Sequence, residues 1–244
     1  MYRRIPVLFL TVVLMSVFVG CGSGSDSTTS TTPKATTQPT TGTQSTTTTV
    51  NTCASVPSGS QPYTIDAKQS NASYEVQEQF LSKPLPSDAI GKTSSIQGGL
   101  ALQLKGVPTI TALKVTVNLQ TLTSDSSRRD DAIRGNWLNS NNYPYAIFVV
   151  KTPQATTSGN YTSGQQVTFK LAGDMTVHNT THPETFAVQG KLVGNTITGT
   201  AKSLVYMKDF GFSAPSIFGL LTVKDGVTVT FNFTANEGGC PQLS

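Results

Sequence analysis

The chain has 244 residues, of which only 12% are charged, and its formal net charge at pH 7 is +4. Its seventeen Lys and Arg residues form no basic cluster interleaved with aromatic residues, which argues against a nucleic-acid partner. Beyond the first 52 residues, the chain is long enough for one well-cored β domain and too short for two ordinary ones.

The first twenty residues have the layout of a bacterial export signal, in which two arginines precede an apolar run from Val7 to Val19. This run of thirteen residues is short for a transmembrane helix, which needs about 20. Phe18-Val19-Gly20-Cys21 resembles a lipobox, after which Cys21 would become the lipid-modified N-terminus. We therefore predict a lipoprotein signal peptide over 1–20 and a protein that is exported and anchored on the extracytoplasmic side of a membrane. An uncleaved transmembrane anchor is the alternative.

The lipidated N-terminus and the segment behind it, 21–52, consist mostly of Ser and Thr and show no apolar period. A segment of this composition buries too little apolar surface to fold. As a flexible coil, its roughly thirty residues would hold the following domain about 30 Å from the anchor on average. We predict a linker that lets the domain extend away from the anchor.

The chain contains three cysteines. With Cys21 assigned to lipid, Cys53 and Cys240 remain, near the two ends of a predicted domain over 53–244. In an exported protein these two are expected to form a disulfide. Two free thiols that never meet are the alternative.

Apolar and polar residues alternate through most of this domain, which is the period of a half-buried strand. The clearest runs are 72–80, 100–104, 113–119, 167–177 and 227–233. At least seven strands are visible, and eight to ten are plausible.

Turn signals separate the strands. Gly194-Asn195 and Asp225-Gly226 are typical of hairpins, and Gly173 is a natural bend within the fourth run. An antiparallel sheet with one apolar face covers that face and removes its edges when it closes on itself. We predict an all-β fold, an antiparallel lipocalin-like barrel of about eight strands, with a β-sandwich as the alternative.

One segment, 119–148, breaks the strand pattern. Ser127 and Asp130 fit a capping box, and Gly135 is placed to end a short helix. Tyr143-Pro144 then forces an extended start to the next strand. We predict a short helical crossover between two strands.

The order of these motifs resembles the YceI-like family, over roughly 62 to 236. The matching segments are Tyr63-Thr64-Ile65-Asp66, Arg129-Asp130, Tyr143-Pro144, Gly173-Asp174-Met175-Thr176-Val177-His178 and, in a penultimate strand, Asp209-Phe210-Gly211. The resemblance implies an antiparallel barrel that holds an isoprenoid or another long-chain lipid. Family members often carry His-Ser after the first strand, where this chain has Gln69-Ser70, so recognition through that histidine is not expected here.

Within such a barrel, the inward-facing side chains become the expected ligand contacts. The predicted set is Tyr74, Val76, Glu78, Phe80, Leu102, Val115, Val117, Leu119, Trp137, Phe148, Phe169, Val177, Phe186 and Phe231. A carboxylate is unusual on an inward parity, so Glu78 is expected to mark the barrel mouth or to meet a ligand head group or a Lys. A strand that ends or bulges at Glu78 is the alternative. The charged run 128–134 either receives an anionic head group or forms a solvated helix with internal ion pairs.

The sequence does not indicate catalysis or a metal. His178 and His182 are the only histidines and have no visible Ser, Asp or thiolate partner, and no P-loop or nucleophile elbow is present. We therefore expect a membrane-anchored binding protein that holds an isoprenoid, a quinone or a fatty-acyl lipid for sequestration or transport, with no other cofactor. A non-catalytic structural or adhesion module, with a barrel packed solid by its own side chains, is the alternative.

Overall fold

The computed structural model describes residues 53–243, which form twelve β-strands, one α-helix and three short 3-10 helices. The strands are β1 (Gln61–Ile65), β2 (Asn71–Phe80), β3 (Ser87–Thr93), β4 (Ile96–Gln103), β5 (Thr109–Asn118), β6 (Tyr145–Val150), β7 (Gln154–Ala155), β8 (Val167–Val177), β9 (Thr180–Val193), β10 (Thr196–Tyr206), β11 (Ser216–Ile217) and β12 (Leu221–Glu237). The α-helix is α1 (Ser127–Gly135), and the 3-10 helices are Ala67–Gln69, Leu119–Thr121 and Met207–Phe210. Among the helices in this range, none is long and apolar enough to cross a membrane.

The strands close into one antiparallel barrel. The sheet runs in the order β1, β4, β5, β6, β8, β9, β10, β12, and β12 pairs again with β1. β2 continues the line of β1 along the same edge of β12, and β3 pairs with β2 before the chain turns into β4. β1 and β2 together therefore occupy one strand position of the barrel, and β3 and β4 together occupy another. With β5, β6, β8, β9, β10 and β12, the barrel has eight strand positions. This closure confirms the predicted barrel and excludes the sandwich.

The barrel has two distinct ends. At the helical end lie the end of β2 at Phe80, the start of β12 at Leu221 and the connection from β5 to β6 that contains α1. At the disulfide end, the chain enters at Cys53 and leaves after β12, and Cys53 is bonded to Cys240 with their Cα atoms 5.3 Å apart. The predicted disulfide is therefore confirmed.

Alternation along the strands produces the inner and outer faces of the barrel. In β9, Phe186, Val188 and Gly190 are buried, whereas Ala187 and Gln189 between them are exposed. Because successive side chains of a strand point to opposite faces, one parity of β9 lines the interior and the other faces solvent.

Two turn predictions were wrong. Gly173 does not bend β8, which runs through it, and a Cβ at this position would lie 2.7 Å from the Phe148 ring, so the glycine allows a close approach. Asp225-Gly226 lies within β12 at a register shift between Val223 and Val227. A β-bulge, which also uses these residue types, replaces the predicted hairpin.

Helix α1 begins one residue earlier than the capping box predicted. Ser126, not Ser127, is the N-cap, and its hydroxyl accepts a hydrogen bond from the Arg129 N–H. The helix ends at Gly135, as predicted. Asp209-Phe210-Gly211, expected in a penultimate strand, instead follows β10 as a 3-10 turn that Gly211 ends in the left-handed conformation.

Candidate functional site

A cavity of about 650 Å³ occupies the interior of the barrel. Its lining residues extend from Phe80 and Leu221 at the helical end to Leu104 and Tyr161 at the disulfide end. The walls are almost wholly aliphatic and aromatic. A barrel packed solid by its own side chains, the alternative that the sequence left open, is not what the structure shows.

All fourteen residues predicted to face the lumen line this cavity. For all of them except Trp137, which follows α1, the inward position was predicted from the strand pattern. Leu119 keeps its inward position although it lies just beyond β5, in a 3-10 helix. That they contact a ligand stays a prediction.

Further lining residues were not in the predicted set. Leu171 and Met175 share the parity of Phe169, so the same strand signal identifies them. Met207 and Phe210 come from a 3-10 helix, where no two-residue period exists to reveal them.

Aromatic rings form a large part of the wall. The Phe148 and Phe186 rings meet edge to face with their centroids 4.8 Å apart, and the Phe231 and Phe233 rings stack at 5.5 Å. Such contacts fix ring positions in addition to burying area. The rigid rings shape the cavity while leaving it open.

A buried ion pair closes part of the helical end. Glu78 on β2 is only 4% exposed, and α1 places Arg129 against it. Arg129 Nε donates to Glu78 Oε1 at 3.0 Å and Nη2 donates to Oε2 at 2.9 Å, which is the bidentate geometry of a strong charge-assisted pair. These hydrogen bonds raise the pKa of Arg129 above its ordinary value. Glu78, the inward-facing carboxylate of the sequence analysis, thus lies at the mouth of the barrel and pairs with an arginine and not with a lysine.

The same arginine connects α1 to the loop before it. Its Nη1 donates to the Ser124 hydroxyl at 3.0 Å and to the Asp125 carboxylate, and the guanidinium lowers the pKa of Asp125. Asp130, itself buried, accepts hydrogen bonds from the Ser124 N–H and hydroxyl. The helix is therefore pinned over the cavity by polar contacts.

The charged run 128–134 forms a helix with an internal ion pair, which is one of its two predicted interpretations. That the run receives an anionic head group stays a prediction. Arg134 pairs with Asp131 at 3.0 Å on the helix surface, as an ordinary solvated pair does. Arg128 lines the cavity and has no ion-pair partner in the described part of the chain. It leaves one cationic group at the mouth available to a ligand.

Tyr74 lies beside this network. Its ring lines the cavity and covers Gly91 so closely that a side chain there would overlap it. The hydroxyl is buried and makes no hydrogen bond of normal geometry within residues 53–243, although the nearby Arg129 and Ser124 side chains both act to lower its pKa. Burial outweighs them and raises the pKa of Tyr74 to about 12.

The histidines lie outside this cluster. His178, with φ of 51°, occupies the turn between β8 and β9, and its ring packs 4.3 Å from that of Tyr143. His182 Nδ1 lies 3.3 Å from the Glu184 carboxylate. Across the described range, no group of three or more His, Cys, Asp and Glu side chains is arranged to hold a metal ion.

The solved structures that share this fold include two with TM-scores above 0.5. One is a polyisoprenoid binding domain from Saccharophagus degradans implicated in plant cell wall breakdown, with 13% identity, a TM-score of 0.56, and a match over 72% of this chain and 98% of that one. The other is BcnA of Burkholderia cenocepacia, with 16% identity, a TM-score of 0.53, and a match over 70% and 99% of the two chains.

No curated protein sequence matches the chain. Residues 63–235, however, match the sequence profile of the YceI-like domain. The interval agrees closely with the span over which the motifs indicated the resemblance. The chain belongs to the YceI-like family.

Proposed function

We propose that this protein is an extracytoplasmic binding protein that holds one long-chain lipid, of the isoprenoid, quinone or fatty-acyl type, inside its barrel. The observation that carries the proposal is the open cavity of about 650 Å³ with aliphatic and aromatic walls. This volume lies in the range of about 300–1,000 Å³ that is typical of small-molecule sites. The polyisoprenoid binding domain from Saccharophagus degradans supports the same ligand class.

Hydrocarbon is the chemistry that this interior accepts. Each methylene group moved from water into such a cavity gains roughly 0.8 kcal/mol. A polar chain would lose its hydrogen bonds to water and find few partners along walls such as Val115, Phe169 and Phe231. The cavity therefore favours long apolar tails.

The ligand's polar end would lie at the helical end of the barrel. Three of the four charged residues along the cavity, Glu78, Arg128 and Arg129, are found there, and the fourth is Lys191 near the disulfide end. Glu78 neutralises Arg129, whereas Arg128 is unpaired within the described range. A head group with carbonyl or phosphate oxygens would meet Arg128, while the tail runs toward Leu104.

Export and anchoring complete the proposal. The signal peptide, the lipid-modified Cys21 and the linker up to residue 52 fall outside the described residues, and their support is the sequence pattern alone. The Cys53–Cys240 disulfide agrees with an oxidising compartment outside the cytoplasm.

The test uses residues 53–244 purified in the oxidised state. The matches cover 98% and 99% of the two solved chains, so barrels of this kind fold without a long N-terminal extension. Organic extraction and mass spectrometry would identify a co-purified lipid. Trp137, the single tryptophan of the chain, lines the cavity and reports on added quinone through fluorescence quenching.

We expect one lipid per barrel after extraction, and saturable quenching of Trp137 when a quinone is added to delipidated protein. A long-chain alkane alcohol without a quinone ring should compete with the quinone and restore the fluorescence. Protein that carries no lipid, and that binds neither quinones nor polyprenols, would refute the proposal.

A further inference from the structure

Two loops at the helical end expose large apolar side chains to solvent. We name them the rim loops, residues 81–86 and 216–220. In the first, Leu81 and Leu85 are 76% and 73% exposed, and in the second Phe218 and Leu220 are 104% and 52% exposed. A soluble protein seldom gathers several such side chains in one place unless the surface binds something.

Hydrogen bonds hold the rim loops side by side. The Leu220 N–H donates to the Ile217 carbonyl at 3.0 Å, which makes a tight turn with Phe218 at its tip. The Leu81 N–H donates to the Leu220 carbonyl, also at 3.0 Å. Because main-chain bonds join the loops, their apolar side chains belong to one surface.

This surface is continuous with the cavity. Ile217 and Leu220 from the rim loops line the cavity together with Phe80 and Leu221, which pair with each other across β2 and β12. The apolar lining therefore passes out through the mouth and onto the rim loops.

Cationic side chains border the same surface. Lys83 lies in the first rim loop with its Nζ 5.1 Å from the centre of the Phe80 ring. Arg128 lies at the mouth, and neither it nor the exposed Lys224 on β12 forms an ion pair within residues 53–243. Acidic side chains also lie nearby. Asp125 is already bound by Arg129, Asp225 pairs with Lys208, and Asp88 is exposed at the start of β3, just after the first rim loop. Exposed aromatic and aliphatic residues bordered by Lys and Arg are typical of surfaces that insert into an anionic lipid interface.

We propose that the rim loops dock on a lipid membrane, with Phe218 and Leu85 inserted, so that the cavity mouth opens toward the acyl chains. The ligand then enters or leaves the barrel without crossing water. This inference rests on the proposed function, since a docked mouth is useful only to a barrel that holds a lipid.

The predicted tether permits this orientation although it joins the opposite end of the barrel. Cys53 is at the disulfide end, and β12, which connects the two ends, has 17 residues and a length of about 56 Å. The roughly thirty residues between Cys21 and Cys53 span up to about 100 Å when extended. The tether is therefore long enough for the helical end to face the membrane that holds the anchor.

The experiment measures co-sedimentation of residues 53–244, free of the anchor, with vesicles of phosphatidylcholine alone or mixed with phosphatidylglycerol. We expect binding to both, stronger with phosphatidylglycerol. Phe218→Ser with Leu85→Ser, one side chain from each rim loop, should weaken the partition coefficient by at least about tenfold, because each side chain loses its burial in the membrane. Lys83→Gln with Lys224→Gln should reduce only the excess binding to phosphatidylglycerol.

Val193→Ser is the matched control, since Val193 is 54% exposed but lies at the disulfide end. It should bind vesicles like the unaltered protein. The Phe218→Ser, Leu85→Ser variant changes no residue that lines the cavity, so it should retain equilibrium quenching of Trp137 by quinone, yet take quinone from vesicles more slowly.

The inference is overturned if the unaltered protein ignores both vesicles, or if Val193→Ser weakens binding as much as the rim variant does. It is likewise overturned if the rim loops instead mediate self-association, seen as a concentration-dependent dimer that the rim variant abolishes. Failure of the proposed function has a different signature: vesicle binding persists while no lipid is extracted and Trp137 is not quenched.

Discussion

Replacing Arg129 with Met is expected to destabilise the barrel substantially. The side chains of Arg129 and Glu78 are only 18% and 6% exposed, so the change leaves a nearly buried carboxylate without its partner. Breaking a buried pair on one side typically costs about 3–5 kcal/mol. For a domain of this size, that corresponds to a fall in Tm of roughly 6–20 °C.

A double-mutant cycle separates the energy of the lost Glu78–Arg129 ion pair from the cost of leaving the Glu78 carboxylate buried without a partner. In Glu78→Leu with Arg129→Met, neither charge of the buried pair remains, and we expect the free energy of unfolding to return to within about 1 kcal/mol of the unaltered protein. Asp131→Asn is the control on the same helix, because its pair with Arg134 is 77% exposed on the Asp131 side and should contribute less than about 1 kcal/mol.

Urea unfolding followed by circular dichroism measures the unaltered protein, Glu78→Leu, Arg129→Met, the double variant and Asp131→Asn. The interpretation of the Glu78–Arg129 pair is refuted if Arg129→Met costs less than about 1 kcal/mol. It is also refuted if the double variant is as unstable as Arg129→Met alone, since Glu78 would then not be the source of the loss.

Three further changes test other parts of the structure. Tyr74→Phe removes a buried hydroxyl without a partner, so the stability at pH 7 should stay the same or rise by up to about 1 kcal/mol; a clear loss would reveal a bound partner. Because burial raises the pKa of Tyr74 from 10.0 to about 12, ionisation of its hydroxyl costs no stability below pH 10 and lowers stability as the pH rises from 10 to 12. Tyr74→Phe should therefore reduce the alkaline decline in stability, measured by unfolding across this pH range, and Tyr63, whose pKa burial also raises to about 12, should account for part of the rest. Ala201→Phe adds a ring to the cavity wall and should abolish the quenching of Trp137 by quinone, whereas Lys202→Phe, on the outer face of the same strand, should leave the quenching unchanged. Equal quenching in the two variants would contradict the cavity as the binding site. Cys53→Ala with Cys240→Ala opens a loop of sequence separation 187 and should lower the free energy of unfolding by up to about 5 kcal/mol, measured in urea, and no loss would mean that the bond does not constrain the unfolded chain.

The strand parity made the cavity wall predictable from the sequence. Val115 and Val117 alternate with polar neighbours, and this pattern exists only if one face of the strand is shielded from water. Parity is a local property, so it identified the lining side chains without any knowledge of which strands pair.

Features that depend on distant residues were not predictable in the same way. Glu78 and Arg129 are 51 residues apart, and the only local clue was that a carboxylate on an inward parity requires a partner. An Asp-Gly pair occurs both in hairpin turns and in β-bulges, so Asp225-Gly226 alone does not distinguish the two. The pairing of β12 with β2 on both sides of this pair shows that it is a bulge. Four polar residues in succession, Ser124 to Ser127, made the N-cap uncertain by one position.

The disulfide has a mechanical consequence for a tethered barrel. A pull that arrives through Cys53 is shared at once with Cys240, just beyond β12, because a covalent bond joins the two. The five residues of β1 therefore do not carry the load alone, and β1 is not the first strand to peel from its neighbours. In a barrel tethered as predicted, tension would be transmitted to the disulfide end of the barrel, far from the helix and rim loops that border its mouth.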